Sequence, residues 1–526
     1  MPALQFPWFP PLNEIDLRSI LVASFIIATG YCLSTAIYRL YFSPLAKIPG
    51  DKLAALTSWY NGYYDVVVGG QYIFVVEEMH RKYGPVVRTR PDAVHVNDPH
   101  FIDKLYTQSP KQRRDRAWTI LATMQLPGSM LATGAHDLHR KRRAVLNPFF
   151  SQQNVRRLEP VINDTLAHLL HRMKGWATSG EPVQLNSAYQ AATKDIIHAY
   201  AFGEGARYLD MQDCNRAFFE VMAAGRTAHL GTHMNWFMKL LTNTPPSILK
   251  HVSKGIATFA GYVEELETQI EGLKKAQDLP EGKTIFHEIL KSNMPESEKA
   301  TPRLRDEATV LVIAGADTTA TTLSVITYYL LSNKALLKRL KAELETVMPD
   351  PNQLPKAADL DQLQFLNAVI QEAIRLHPSA SHRQDRIAPD EDLVYESMDG
   401  QYKYTLPAGT TIGMAAPLLN KSPLVYTRPN EFDPERYLED PSLRKYLMSF
   451  SKGTRQCIGI NLAYQELQTF VAGIFRRYDV YDASKPQQGP TMELFETTMD
   501  DIAMFADYVT PSPKPGTQKL RVRLRA

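Results

Sequence analysis

One of the chain's three cysteines, Cys457, lies in FSKGTRQCIG (residues 450–459), directly before a long apolar helical pattern. A thiol at a helix start meets the positive end of the helix dipole, and Lys452 and Arg455 add cationic field, so the anion is favoured there. Gly453 and Gly459 leave backbone bare where a flat group could approach, and Phe450 offers an apolar wall. A thiolate in such a cradle could hold a metal; an inert buried cysteine is the competing reading of the same residues. Cys32, Cys214 and Cys457 are far apart and odd in number, with no CxxC pair, which excludes a disulfide framework or a cysteine-rich zinc site and points to a reducing compartment.

Two further groups stand out. In QEAIRLHP, Glu372 and Arg375 are three apart and share a helical face, and FDPERY supplies Arg436 some sixty residues later. Taken alone they read as a surface salt bridge worth a few tenths of a kcal/mol. VLVIAGADTTATTLS places Gly315, Asp317 and four threonines inside an apolar helical pattern that their propensities oppose. Either Asp317 or Thr318 caps a shorter helix, or the helix runs through and a threonine bonds back to a carbonyl four residues earlier, loosening the turn. The cationic stretch HDLHRKRRAVLNPFF, with His139 and Arg143, reads alone as a solvated helix face.

These residues must be positioned by a mainly α protein with a minor β part. INDTLAHLLHRMKGWA, GYVEELETQIEGLKKAQ, DEATVLVIAGADTTATTLSVITYYLLS, ALLKRLKAELETVM, LQFLNAVIQEAIRLH and NLAYQELQTFVAGIFRRY repeat apolar residues at three-to-four spacing. PVVRTRP, AVHVND, KYTLPAGTTIGMA and KLRVRLR carry strand signals. No internal repeat or low-complexity tract interrupts them.

The 526 residues hold 44% hydrophobic and 22% charged residues with a net charge of +3, which excludes a disordered or fibrous chain. No basic stripe interleaved with aromatics is present, so nucleic acid is not expected as a partner. Residues 20–38, ILVASFIIATGYCLSTAIY, pass without a charge over about 28 Å of helix, enough to cross a bilayer core. Trp8 and Tyr41 suit interface positions; Glu14 and Asp16 precede the run and Arg39, Lys47 and Lys52 follow it, so the large C-terminal part is expected in the cytosol. The expected organisation is a lumenal N-terminus (1–19), an anchor helix (20–38), a linker stiffened by Pro44 and Pro49 (39–60) and one catalytic domain (61–526).

The spaced pattern of Phe450, Gly453, Arg455, Cys457 and Gly459 resembles the haem-binding loop of the cytochrome P-450 family, in which the cysteine thiolate is the axial ligand of the iron. That family is itself the usual example of thiolate donation favouring O–O cleavage. The resemblance implies the P-450 fold, a large helical domain with a small β-rich region, behind an N-terminal transmembrane helix. It makes Glu372, Arg375 and Arg436 a structural triad behind the loop. Asp317 and Thr318, in Ala314-Gly315-x-Asp317-Thr318-Thr319, become a proton relay for oxygen activation. It places Arg143, and less firmly His139, where a Trp-x-x-x-Arg element meets a haem propionate, and Arg383 at a second propionate, with Arg386 as the competing choice. Substrate walls are expected from Trp118 to Met130, Phe218 to Trp236, Ile313 to Thr318 and near Phe505.

The implied activity is a haem b monooxygenase of fungal microsomal secondary metabolism acting on a lipophilic small molecule, terpenoid or polyketide. Electrons would come from NADPH through NADPH-cytochrome P-450 reductase, with cytochrome b5 as a second donor. The enzyme would sit in the endoplasmic reticulum membrane. A haem-thiolate isomerase or dehydratase, and a non-catalytic haem sensor or carrier, are the alternatives; neither has use for the Asp317–Thr318 relay. Asp51 departs from the pattern, since the family commonly has a second proline there, and is expected to soften the linker.

Overall fold

Apolar residues recurring every three to four positions fall on one side of a helix, and burying that side against neighbours drives most of this chain into helices. The computed structural model describes residues 17–203, 205–223, 228–242, 244–252, 254–275, 284–485 and 489–526. The helices that position the site are α1 (Leu17–Ile37), α2 (His136–Leu146), α3 (Glu159–Ser179), α4 (Leu185–Phe202), α5 (Lys254–Lys275), α6 (Thr301–Ser332), α7 (Lys334–Val347), α8 (Gln364–Leu376) and α9 (Ile460–Phe475). All six expected helical patterns are helices here, and α6 is continuous over 32 residues, so neither Asp317 nor Thr318 is a cap.

α6 is the axis of the molecule: α4, α5, α8 and α9 pack against it. Leu166, Ile196, Leu266, Val312, Leu340, Leu366 and Phe470, from seven of these helices, are fully buried in one core. α4 was not visible in the sequence pattern because 16 of its 18 residues are buried. A helix enclosed on all sides has no polar face to set its period.

The β part is a mixed sheet of β1 (Val86–Arg90), β2 (Ala93–Val96), β3 (Asp115–Arg116), β4 (Arg386–Ile387) and β5 (Thr411–Gly413), in the order β1-β2-β5-β4-β3. A second sheet joins Val183–Gln184, Arg521–Arg525, Thr491–Leu494 and Asp479–Val480. The first sheet has its own core, in which Val86, Val94 and Ile412 meet Leu45, Ile48 and Met448.

Ahead of this body, α1 has no buried residue and continues as a short π-helical turn to Phe42, which makes 26 apolar-rich residues long enough to cross a membrane. Helix α6 is longer and less apolar, yet also long and apolar enough to cross, but it is mostly buried in the protein. Trp8, Glu14 and Asp16 lie outside the described residues. The segment after α1 is docked rather than loose. Leu45 and Ile48 are buried, and the Arg88 guanidinium donates to the Arg39 carbonyl at 2.7 Å. Asp51 accepts the hydroxyls of Tyr60 and Tyr83 at 2.8 and 3.0 Å, which fixes the position expected to be soft.

Among the described residues, a cut after Ile37 therefore removes no buried side chain and spares Arg39. The truncated protein should unfold within a few degrees of the full chain in a thermal melt; a fall of more than about 8 °C, which exceeds what about 2 kcal/mol produces even in a domain of roughly 150–250 residues, would place α1 inside the core.

Candidate active site

The loop that carries Cys457 is built by its glycines and by carbonyls from outside it. Gly453 sits at φ +75°, and a Cβ there would lie 2.5 Å from the Tyr106 carbonyl oxygen, so no other residue fits without moving the neighbouring chain. The Thr454 amide donates to the Thr107 carbonyl at 3.2 Å and the Cys457 amide to the Phe450 carbonyl at 2.8 Å, closing the loop on itself. Phe450 packs against Tyr464 of α9. A Cβ on Gly459 would meet no protein atom. The cysteine side chain is likewise open to a water-sized sphere, although it lies deep in the protein.

That depth matters for its charge. Burial pushes the Cys457 thiol up, while the Gly459 amide and the Arg143 guanidinium act the other way. Arg143, from α2, donates to the Gln456 carbonyl at 2.6 Å. Arg455, expected to act on the sulfur, instead gives its hydrogens to the carbonyls of Arg114, Thr133 and Gly134.

Arg455 belongs to a second feature, a buried crowd of cations. Arg116 and Arg386 stand directly opposite each other on β3 and β4. Like charges at opposed strand positions repel, and burial makes the repulsion stronger. Burial and the Arg386 and Arg455 charges lower the affinity of Arg116 for its proton, and Arg455 itself is pushed down to about 9, chiefly by burial and then by Arg386. Burial and the same arginines push His139 down to about 2, so it is neutral. The hydrogen bonds here go mostly to neutral carbonyls, and the Arg116 Nε has no partner. Four guanidiniums (Arg116, Arg143, Arg386, Arg455) stand near two carboxylates, Asp115 and Asp385, so buried cations outnumber carboxylates there. The two propionates of a haem would balance that excess, so the residues present fit such a group.

Arg383 is used differently. Its Nη2 lies 3.2 Å from Asp65 Oδ2, and its guanidinium stacks over Tyr72. Arg116 was not singled out in the sequence, because RRDRAW is one basic run among several and only the pairing of β3 with β4 brings it to Arg386.

On α6, Thr318 donates to the Ala314 carbonyl at 2.8 Å, the back-bond its mid-helix position implied. The Thr193 hydroxyl lies 2.7 Å from the Ala316 carbonyl, and Ser379 donates to that of Thr318 at 3.0 Å, so three successive alternate carbonyls are shared with side chains. Ala314 is exposed in the middle of an otherwise buried helix, so α6 borders open space beside Thr318. The expected substrate walls are mixed. Phe218 packs into an aromatic cage with Tyr208 and Tyr262 around the buried Lys194, Phe505 and Trp118 are half exposed, and residues 224–227 lie outside the described residues.

Glu372, Arg375 and Arg436 are not a surface pair but a buried network. Arg375 grips Glu372 with two bonds of 2.7 Å, and Arg436 Nε reaches the same carboxylate at 3.1 Å, all three residues being at most 4% exposed. The remaining arginine hydrogens go to the carbonyls of Asn420, Thr427, Pro429 and Glu431.

A cysteine whose side chain is open on one side, with buried arginines near it that outnumber the carboxylates, is a donor set that fits an anionic prosthetic group held through sulfur. The chain belongs to the cytochrome P450 family: the Cytochrome P450 family profile matches residues 57–501. It is 39% identical over 518 residues to Cytochrome P450 monooxygenase tpcC of Cochliobolus heterostrophus, covering 98% of each chain. It is 36% identical to Cytochrome P450 monooxygenase astB of Talaromyces wortmannii, over 97% of this chain and 99% of the relative. Tryptophan 6-hydroxylase fscE of Fusarium equiseti is also 36% identical, over 97% of this chain and 98% of the relative. The fold matches that of retinoic acid-bound cyanobacterial CYP120A1 with a TM-score of 0.69 at 20% identity, over 91% of this chain and 99% of the other. The protein is a P450 monooxygenase, a family that uses haem-thiolate chemistry, takes electrons from a redox partner and acts on small molecules.

Removing one member of the buried triad leaves charge without a partner. Glu372→Gln should destabilise the protein by about 3–5 kcal/mol in urea unfolding, whereas a change below about 1 kcal/mol would be that of a surface pair.

Proposed function

We propose that this chain inserts one atom of O2 into a lipophilic small molecule, releasing the other as water, with the two electrons supplied by NADPH through NADPH-cytochrome P-450 reductase. The observation that carries the assignment of roles is that buried guanidiniums outnumber carboxylates beside Cys457. Haem b held there by sulfur would supply dioxygen activation and O–O cleavage, since thiolate donation favours that cleavage. The Cys457 thiolate is the ligand; the Gly459 amide and Arg143 offset part of the burial that disfavours the anion. Arg116, Arg143, Arg386 and Arg455 hold the propionates. Arg386 takes the role that resemblance gave to Arg383, because Arg383 is already the counter-ion of Asp65. Phe450, Gly453 and Gly459 shape the loop.

Thr318 gives its own hydrogen to Ala314, which leaves its oxygen lone pairs facing the open side of α6 to accept from water or substrate. Asp317, one residue before, feeds protons to that position. The pathway is fungal secondary metabolism with a terpenoid or polyketide substrate, by resemblance to microsomal members of the family. The exposed helix α1 supports a single-pass anchor in the endoplasmic reticulum with the catalytic domain in the cytosol, open to the reductase and to cytochrome b5.

Two measurements test these roles. Arg386→Met should purify with a clearly lower haem-to-protein ratio, while Arg383→Met should melt earlier, leaving Asp65 unpaired, yet keep its haem in the folded fraction; equal ratios in both would remove Arg386 from the propionates. Thr318→Ala should bind haem normally but turn over about a hundredfold more slowly, with NADPH diverted to peroxide. Wild-type rate and coupling in that variant would show that Thr318 only shapes the helix.

A further inference from the structure

Helix α4 presents one continuous stripe to the centre of α6. Ile197 fills the space left by Gly315, where a Cβ would lie 2.9 Å from its Cγ1. One turn back, the Thr193 hydroxyl meets the Ala316 carbonyl, and Gln190 Nε2 donates to Asp317 Oδ1 at 2.6 Å. Another turn back, Asn186 Nδ2 donates to Gln190 Oε1 at 2.9 Å, and the Ser324 hydroxyl returns to Asn186 Oδ1 at 3.0 Å. Positions 186, 190, 193 and 197 are spaced by three and four, so a single helical face makes every one of these contacts. Gln190, Asn186 and Ser324 are 2%, 6% and 4% exposed.

The direction of this chain of bonds is fixed by its end. Gln190 turns its NH2 to Asp317, which leaves its carbonyl for Asn186, whose own NH2 meets it. The Ser324 hydroxyl closes the series, its single hydrogen shared between Asn186 Oδ1 at 3.0 Å and the Ala320 carbonyl of its own helix at 2.8 Å. Among the described residues no arginine or lysine pairs with Asp317, so its carboxylate is aimed by a neutral amide that adds no positive charge. A cavity of about 70 Å³ borders the same carboxylate, reaching from Asn186 and Ser324 to Asp501 and the partly exposed Lys519 near the C-terminus. That is room for a short row of waters among polar side chains.

We propose that Gln190, held by Asn186 and Ser324, is a positioning residue for proton delivery: it aims the Asp317 carboxylate between this cavity and Thr318, so that protons enter from the C-terminal side of α6. The inference rests on Asp317 acting as the relay. Substituting Gln190 removes the aim while leaving the acid in place, so its effect must pass through Asp317.

The test uses the full chain, haem-loaded and reconstituted with reductase, with no substrate added. Dioxygen then ends either as peroxide, consuming one NADPH and one proton, or as two waters, consuming two NADPH and two protons. Gln190→Met keeps the volume and removes the hydrogen bond. It should cut the water-forming branch about tenfold, less than direct loss of an acid, and move NADPH per O2 toward one. A second readout is independent of turnover: the infrared C–O stretch of the reduced carbon monoxide complex, which reports polar groups facing that ligand, should shift or split in Gln190→Met. Gln190→Met combined with Asp317→Asn should behave as Asp317→Asn alone, because one path is cut twice. Additive effects, or a wild-type stretch and stoichiometry in Gln190→Met while Asp317→Asn is impaired, would overturn the role of Gln190. Wild-type behaviour of Asp317→Asn itself would overturn the relay.

Discussion

Everything around Cys457 depends on a buried carboxylate that two arginines hold at once. Without the arginines Glu372 would be a buried carboxylate with no partner, and the arginines would be buried cations without theirs, so the three are kept or lost together. Their leftover hydrogens tie down the irregular chain from Asn420 to Glu431, which has no regular structure of its own to satisfy its carbonyls. Asn420 then spans from the end of α8 to the stretch before the cysteine: it donates to the Arg375 carbonyl and to Ser449, and accepts the Met448 amide. The position of the thiol is thereby set from α8, some eighty residues earlier in the chain.

Charge is distributed against this frame in two opposite ways. At Glu372 two guanidiniums face one buried carboxylate, and Asp433, 4.0 Å from Arg436, supplies the second negative group, so the charges balance there. At the rim formed by Arg116, Arg143, Arg386 and Arg455 they do not, and burial depresses the proton affinity of these guanidiniums. A fold tolerates such an imbalance only where function requires it, since uncompensated buried charge costs several kcal/mol. The balanced network holds the scaffold; the unbalanced one is left for a ligand to complete.

Between them lies α6, whose sequence is poor for a helix and whose helical state is maintained by its neighbours. Gly315 costs roughly 1 kcal/mol of propensity, yet it is what lets α4 approach through Ile197. The threonines that weaken the helix in isolation find carbonyl acceptors within it, as Thr318 and Thr322 do. Local preference is overridden there by packing.

Much of this was legible in the amino-acid order alone. The spacing of Gly453, Arg455 and Cys457, the three-residue step from Glu372 to Arg375 and the charge-free run before residue 38 each encode chemistry within one turn or one loop, which a sequence displays directly. The six amphipathic helices were equally visible because each has a polar side to set its period. What the sequence could not display was anything requiring two distant segments to meet. α4 is buried all round and has no pattern; Arg116 gains its role only through the pairing of β3 with β4; Arg383 and Arg386 differ only in which partner the fold puts beside them. The sequence by itself determined which groups could carry the chemistry, since that follows from residue type and short spacing. The tertiary structure alone decided which of them are paired, aimed or left uncompensated, because burial and distance, not identity, set the energy of a charge.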